Sequence, residues 1–313
     1  MKNHSTWKKP GINLHAQQKV IGKWHHQSYT VVRKIGEGAI GAVYLCMHHG
    51  RPVALKMSEQ DAAVTVEVNV LKALKKVQGY RLGPSLLDVD DWTAPNGRVY
   101  SFYVMEYMEG QTLGAFIQTR GKKWLGVLMV QLLEDLDQLH QAGWTFGDLK
   151  TDNILVESNP PRIRLVDVGG TTRMGRSIKE YTEFFDRGYW GMGTRKAEPS
   201  YDLFAVAMVF LHIYYPRRFD RIAGEPSEKL LEKKLYRAKD LQLLHPVLKK
   251  ALKGKYHTAT EMKKDVMNKI KQVQNRRSQY RKQTQQKKAY PVKESFSISL
   301  VASVFWIISM LLP

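Results

Sequence analysis

The sequence predicts an α+β chain of two lobes, the first rich in strands and the second in helices, closed by a C-terminal transmembrane helix. Three observations predict this. Short β-rich runs broken by turn residues fill the chain to about Gly110, long apolar-rich segments with helical spacing follow, and the last eighteen residues, from Phe296, carry no charged side chain. At 313 residues and 43% hydrophobic content, the chain can bury one large core or two smaller ones.

The elements follow in order. Met1 to Gln27 is polar and basic and reads as a flexible lead-in without a secretory signal. Tyr29–Val32, Ala42–Leu45 and Val53–Leu55 read as antiparallel strands. Ala62–Val77 reads as a helix whose apolar stripe is Val66, Val70, Leu71, Leu74 and Val77. Turns at Asp88–Asp91 and Ala94–Gly97 precede another strand, Val99–Tyr107, which runs out at Glu109-Gly110. Leu125–Gln141 and Asp202–Tyr215 are long helices, and Arg217–His245 is charged with helical spacing in its second half. The resulting division is a lead-in (1–27), a strand lobe (28–109), a helix lobe (110–270), a basic arm (271–295) and an anchor (296–313).

Lys plus Arg number 49 against 29 for Asp plus Glu, a formal charge of +20, which favours anionic partners. Cys46 is the one cysteine and cannot form an internal disulfide, which fits a reducing compartment. Eighteen residues of helix from Phe296 span about 27 Å, close to the hydrocarbon thickness of a bilayer. Lys287, Lys288 and Lys293 lie just before it, and the positive-inside tendency keeps the preceding lobes in the cytosol. The expected location is therefore the cell membrane, with a single pass.

The chemistry concentrates in Gly147-Asp148-Leu149-Lys150-Thr151-Asp152-Asn153, followed fourteen residues after Asn153 by Asp167-Val168-Gly169 behind the apolar run Ile163–Val166. Acids and an amide at these spacings can hold two magnesium ions, at Asn153 and Asp167, and steer a hydroxyl toward a phosphate through Asp148, with Lys150 offsetting charge. A lone Asp in a loop is usually a turn former, so the order of the whole set carries the argument. Upstream, Gly36-Glu37-Gly38-Ala39-Ile40-Gly41-Ala42-Val43 fits G-x-G-x-x-G-x-V, which lets a hairpin backbone approach a triphosphate, with Ile35 just ahead of it. It lacks the Gly-Lys-Ser/Thr of a P-loop. Fifteen residues after Gly41 comes Lys56, ending an apolar strand, and eleven further on Glu67, placed to pair with it. Backbone groups near Glu106 and Met108 could meet an adenine edge, with Met105 lining the pocket. Taken singly, a surface glutamate or a strand exit explains each of these last features almost as well.

In these motifs the chain resembles the bacterial Hanks-type (eukaryotic-like) serine/threonine protein kinases from about Tyr29 to Ile270. Tyr201–Ala207 is similar to the large-lobe helix that carries the family's buried aspartate, and Lys255–Met262 to the start of its last helix. The resemblance implies a bilobal protein-kinase-like fold, ATP and Mg2+ as cofactors, and proteins as substrates; Lys150 favours serine and threonine over tyrosine. Three departures stand out. Phe146-Gly147-Asp148 replaces His-Arg-Asp, so the arginine that pairs with a loop phosphate is missing, and loop phosphorylation is expected to act less as an on-switch. Asp-Val-Gly replaces Asp-Phe-Gly and keeps the metal ligand. Gly191-Met192-Gly193 stands where Ala-Pro-Glu is usual and Lys255 where its arginine partner is, so both ends of a structural ion pair change together. Thr171, Thr172, Ser177, Tyr181 and Thr182 are hydroxyls of the intervening loop open to autophosphorylation.

Lys249–Lys293 holds 15 Lys plus Arg against two acids. It could be a solvated linker, hug anionic lipid at about 1 kcal/mol per basic residue, or bind nucleic acid through phosphates. Arg276, Arg277, Arg281 and Lys282, interleaved with Tyr280, favour DNA or another polyanion, which would gather protomers. Ser295, Ser299 and Ser303 recur every four residues, a spacing that supports helix pairing in a homodimer. Two other classes compete with a protein kinase: an enzyme on a small molecule or lipid, and a DNA- or membrane-binding pseudokinase scaffold. The intact set Lys56, Glu67, Asp148, Asn153 and Asp167 weighs against the scaffold.

Overall fold

Alternating apolar and polar residues make the first lobe an antiparallel sheet. This computed structural model describes residues 12–37, 41–78, 83–276 and 278–279. Its strands are β1 (Lys19–Ile21), β2 (Ser28–Glu37), β3 (Gly41–His48), β4 (Arg51–Ser58), β5 (Leu86–Thr93) and β6 (Val99–Glu106), and between β4 and β5 runs α1 (Asp61–Gln78). The sheet order is β1-β2-β3-β4-β6-β5. In β3 every second residue, Ala42, Tyr44 and Cys46, is buried, the period of a strand with one covered face.

Three expectations change here; first, Asp88–Asp91, expected as a turn, lies inside β5 and pairs with β6. Residues 12–27 are part of the lobe rather than a flexible lead-in. Val20 is fully buried, β1 pairs with β2, and Leu14 joins a core with Tyr29, Val31, Tyr44 and Phe102. The Tyr44 hydroxyl ties the segment down, donating to the Ile12 carbonyl at 2.7 Å and accepting from the Leu14 amide at 3.2 Å. On α1, Val66 is 56% exposed, while Val64, Glu67, Val68, Leu71 and Leu74 are buried. Steps of three and four residues from Glu67 define the covered face, and Val66 falls off it. The side chain of Val77 lies outside the described residues.

The second lobe contains β7 (Gln111–Thr112), α2 (Leu113–Arg120), α3 (Trp124–Gln141), β8 (Trp144–Thr145), β9 (Ile154–Ser158), β10 (Pro161–Leu165), β11 (Thr172–Arg173), α4 (Pro199–His212), α5 (Ser227–Arg237) and α6 (His245–Leu252). β10, β9 and β7 form one small sheet, and β11 with β8 another. These short strands fix both ends of the loop at 146–153. α4 is buried continuously from Tyr201 to Leu211, the pattern of a helix packed on all sides.

The chain divides into two units, Met1–Lys264 and Asp265–Pro313. In the second, residues 265–276 are helical and Arg276 is exposed. Gly38, Arg277, Arg281, Lys282 and the anchor at 296–313 lie outside the described residues. Among the described residues no helix is long and apolar enough to cross a membrane.

Candidate active site

The site forms where the loop 146–153 faces β4, α1 and the segment after β10. Its foundation is Asp202, fully buried on α4. One carboxylate oxygen accepts from the Phe146 amide at 2.8 Å and meets His140 Nε2 at 2.8 Å; the other accepts from the Gly147 amide at 3.0 Å. The loop is thus pulled onto the helix through its backbone, and the next residue, Asp148, is turned outward. Gly147 is needed at the bend. Its φ is +83°, and a Cβ there would collide with the Gly170 carbonyl.

Asp148 is half-buried and carries three partners. Lys150 Nζ and the Thr182 hydroxyl donate to its two carboxylate oxygens, the latter at 3.0 Å, and its carbonyl accepts from Asn153 Nδ2 at 2.9 Å. With Nδ2 so used, Asn153 Oδ1 meets no donor among the described residues and can face a cation. Asp167, 48% exposed at its side chain, accepts from the Gly169 amide at 3.0 Å with Oδ1 only. Two hard oxygen donors on adjacent strand ends suit magnesium, and the residues present fit the ion.

Lys56 completes the set. It lies near the end of β4 and pairs with Glu67 at 2.7 Å and with Asp167 at 3.6 Å. Burial works against its charge, but Asp167 and Glu67 outweigh burial and hold the ammonium above the usual lysine range. Glu67 is buried and also accepts from the Tyr103 hydroxyl at 2.6 Å. Ile35, Gly36, Gly41 and Val43 flank the hairpin between β2 and β3, with Val43 directly opposite Lys56 across the β3–β4 ladder. At the junction of the lobes, Met105 and Met108 are buried. The Glu106 amide is already used by the Ser85 carbonyl at 2.9 Å, and its carboxylate by Arg164 at 3.0 Å and by Ser85. Only the Glu106 carbonyl can therefore serve an adenine. The Met108 amide meets no acceptor among the described residues.

Sequence reasoning missed Glu180. A Cβ on Gly169 would lie 3.1 Å from Glu67 Oε1, 3.3 Å from Asp167 Oδ1 and 3.6 Å from Glu180 Oε2, so three carboxylates converge on this glycine. Partial burial, then Glu67 and Asp167, push the Glu180 carboxyl up, and Lys56 acts in the other direction. A glutamate two residues before a loop threonine has no signal in the sequence that would single it out.

The segment between Asp167 and α4 is fastened by contacts that the sequence reading did not foresee. Arg187, buried, pairs with Glu198 at 2.8 Å and donates to the Thr194 carbonyl and the Ser200 hydroxyl. Arg195 pairs with Asp186 at 2.7 Å, and Asp186 also accepts from the Tyr201 hydroxyl. Backbone bonds join Ile178 to Arg195 and Ala197 to Arg176. Lys255 is exposed, and Gly193 instead gives room to the Arg187 side chain. The altered ion pair is thus replaced by two pairs inside the segment itself. Of the loop hydroxyls, Ser177 and Tyr181 are exposed, Thr172 is half-buried, Thr171 is buried, and Thr182 rests on Asp148.

Asp202→Ala should leave two buried amides unsatisfied, costing about 2–4 kcal/mol of stability and nearly all catalytic activity. Gly147→Ala should lose activity with a smaller loss of stability. Denaturant titration beside a phosphotransfer assay checks both.

The protein kinase domain family matches residues 29–292. The chain is 48% identical over 262 residues to serine/threonine-protein kinase YabT of Bacillus subtilis (strain 168), covering 83% of this chain and 75% of that protein. It is 28% identical over 229 residues to cyclin-dependent kinase G-2 of Oryza sativa subsp. indica, covering 64% of this chain and 31% of that one. In three dimensions it matches the Mycobacterium tuberculosis PknI kinase domain with a TM-score of 0.58 at 20% identity, over 82% of this chain and all of that domain, which shows the fold. With a lysine–glutamate pair and an aspartate on a loop tied to a buried helix, the chain belongs to the protein kinase family, whose members use ATP and Mg2+.

Proposed function

We propose that this kinase phosphorylates serine and threonine hydroxyls of proteins, and its own, from a position tethered to the membrane. The observation that carries the reading is the Thr182 hydroxyl, 3.0 Å from Asp148 with Lys150 on the other oxygen of the same carboxylate. Asp148 is thereby suited to hold an acceptor hydroxyl and take its proton as its oxygen bonds the γ-phosphorus, the bond from that phosphorus to the β–γ bridging oxygen breaks, and ADP leaves. Lys150 offsets charge on the phosphoryl group in transit. Lys56, aimed by Glu67, would hold the α- and β-phosphates, and Asn153 and Asp167 would hold magnesium. Ile35, Gly36, Gly41 and Val43, beside the glycine hairpin, would cover the nucleotide, and the Glu106 carbonyl and Met108 amide would meet its adenine. Bound magnesium ATP supplies the electrophilic phosphorus and the cations that screen its charge. The similarity to YabT over most of the chain weighs for a protein acceptor over a small molecule.

Two further parts of the reading rest on composition. The uncharged stretch from Phe296 supports a single membrane pass with the kinase lobes in the cytosol. The basic arm supports contact with DNA or another polyanion, which would gather protomers for phosphorylation in trans, and the serine spacing at the anchor supports a homodimer.

The test uses radiolabelled ATP with Mg2+ and the full chain in detergent. Label should appear on the protein itself and on a generic protein substrate, and Lys56→Ala and Asp148→Asn should each lower the rate at least a hundredfold; label unchanged in both variants would overturn the assignment. Charge reversal at Arg276, Arg277, Arg281 and Lys282 should abolish binding to double-stranded DNA and any stimulation by it. Undiminished binding would remove the basic arm as the DNA site and leave the kinase untouched.

A further inference from the structure

Tyr103 stands directly opposite Lys56 in the β4–β6 ladder, so the two side chains leave the sheet on the same face. Both end on one carboxylate. Lys56 Nζ donates to Glu67 at 2.8 Å, and the Tyr103 hydroxyl donates to Glu67 Oε2 at 2.6 Å. Glu67 is 4% exposed and Tyr103 2% exposed, so water has little access to either partner. We propose that Tyr103 is a positioning residue for phosphoryl transfer: its hydroxyl latches α1 against the sheet through Glu67, so that Lys56 stays aimed into the site without a phosphate on the loop.

Three observations carry this. First, a buried carboxylate with one cation partner is poorly satisfied when that cation turns toward a ligand. Lys56 already lies 3.6 Å from Asp167. A second donor that never leaves keeps Glu67 in place when Lys56 is shared. Second, the latching hydroxyl keeps its proton. Burial, then the Glu67 charge, raises the Tyr103 hydroxyl well above its ordinary range, so it remains a donor at every working pH. Third, the chain has Gly147 where a phosphate-reading arginine would sit, and the bend at φ +83° excludes a side chain there. An α1 held by a neutral buried hydroxyl does not need that arginine.

The role rests on the kinase reading of the site, so the experiment separates the two. Tyr103→Phe keeps the ring and removes one oxygen. Hydrogen exchange of the nucleotide-free protein reads α1 directly, and amides from 62 to 75 should lose protection by about tenfold, the scale of a lost hydrogen bond to a charged group. Affinity for magnesium ADP, measured by calorimetry, should fall by a similar factor, and kcat/KM for ATP with it. In a Glu67→Ala background Tyr103→Phe should add nothing, because the partner is gone. If exchange in α1 is unchanged, or if the tyrosine substitution costs the same factor with and without Glu67, Tyr103 is only a core residue and the proposal fails. Loss of all phosphotransfer control activity in the unmutated chain would instead sink the kinase reading, while the exchange result would still decide the latch.

Discussion

Asp202 places a negative charge inside a helix that is apolar along almost its whole buried length. Such a charge is costly unless every lone pair it exposes is met. It is met by two consecutive backbone amides, at Phe146 and Gly147, and by His140. The requirement runs in both directions. The carboxylate needs those amides, and the amides, which meet no backbone acceptor among the described residues, need the carboxylate. Everything that the site does follows from that mutual dependence, because the bend that satisfies Asp202 is the bend that turns Asp148 outward. Asn153 then braces the same loop from its far end, bonding the Asp148 carbonyl.

Around this foundation the chain substitutes local fastenings for long-range ones. The segment between Asp167 and α4 folds back on itself through Arg187–Glu198 and Arg195–Asp186, pairs that are eleven and nine residues apart in sequence. Short separations close small loops at little entropic cost. Tyr201, one residue before Asp202, bonds Asp186, so the segment is tied to the helix that also holds the catalytic loop. Glu67, Asp148, Asp167 and Glu180 together outnumber Lys56 and Lys150, an excess of carboxylates that favours cations at the site.

The sequence was legible where spacing encodes chemistry. Asp148, Lys150, Asn153 and Asp167 sit at fixed intervals on a loop and a strand end, and Lys56 with Glu67 on a strand and the helix after it; in the structure they form the ladder of contacts that their order implies. The change from strands to helices near Gly110 was legible from the change of period. Less was readable where tertiary packing decides. Leu14 and Val20 lie in a polar, basic stretch, and only the partner strand and the Tyr44 hydroxyl make them core. Val66 looked like part of a stripe because valines crowd α1, yet the buried glutamate Glu67 sets the phase of the helix. Arg187, Glu198 and Glu180 are ordinary charged residues in sequence, and their partners appear only when the segment folds back. Tyr103 was read as one strand residue among several, because nothing in a linear sequence says which residue lies across the ladder from Lys56.

The central claim is that buried structural bonds, rather than a phosphate on the loop, assemble this active site. The most direct measurement is the first turnover of protein shown by mass spectrometry to carry no phosphate. Mixed with ATP, Mg2+ and a protein substrate, it should transfer phosphate at its full rate from the start, with no lag at any enzyme concentration. A lag that shortens as enzyme concentration rises, and vanishes in pre-phosphorylated protein, would contradict the account.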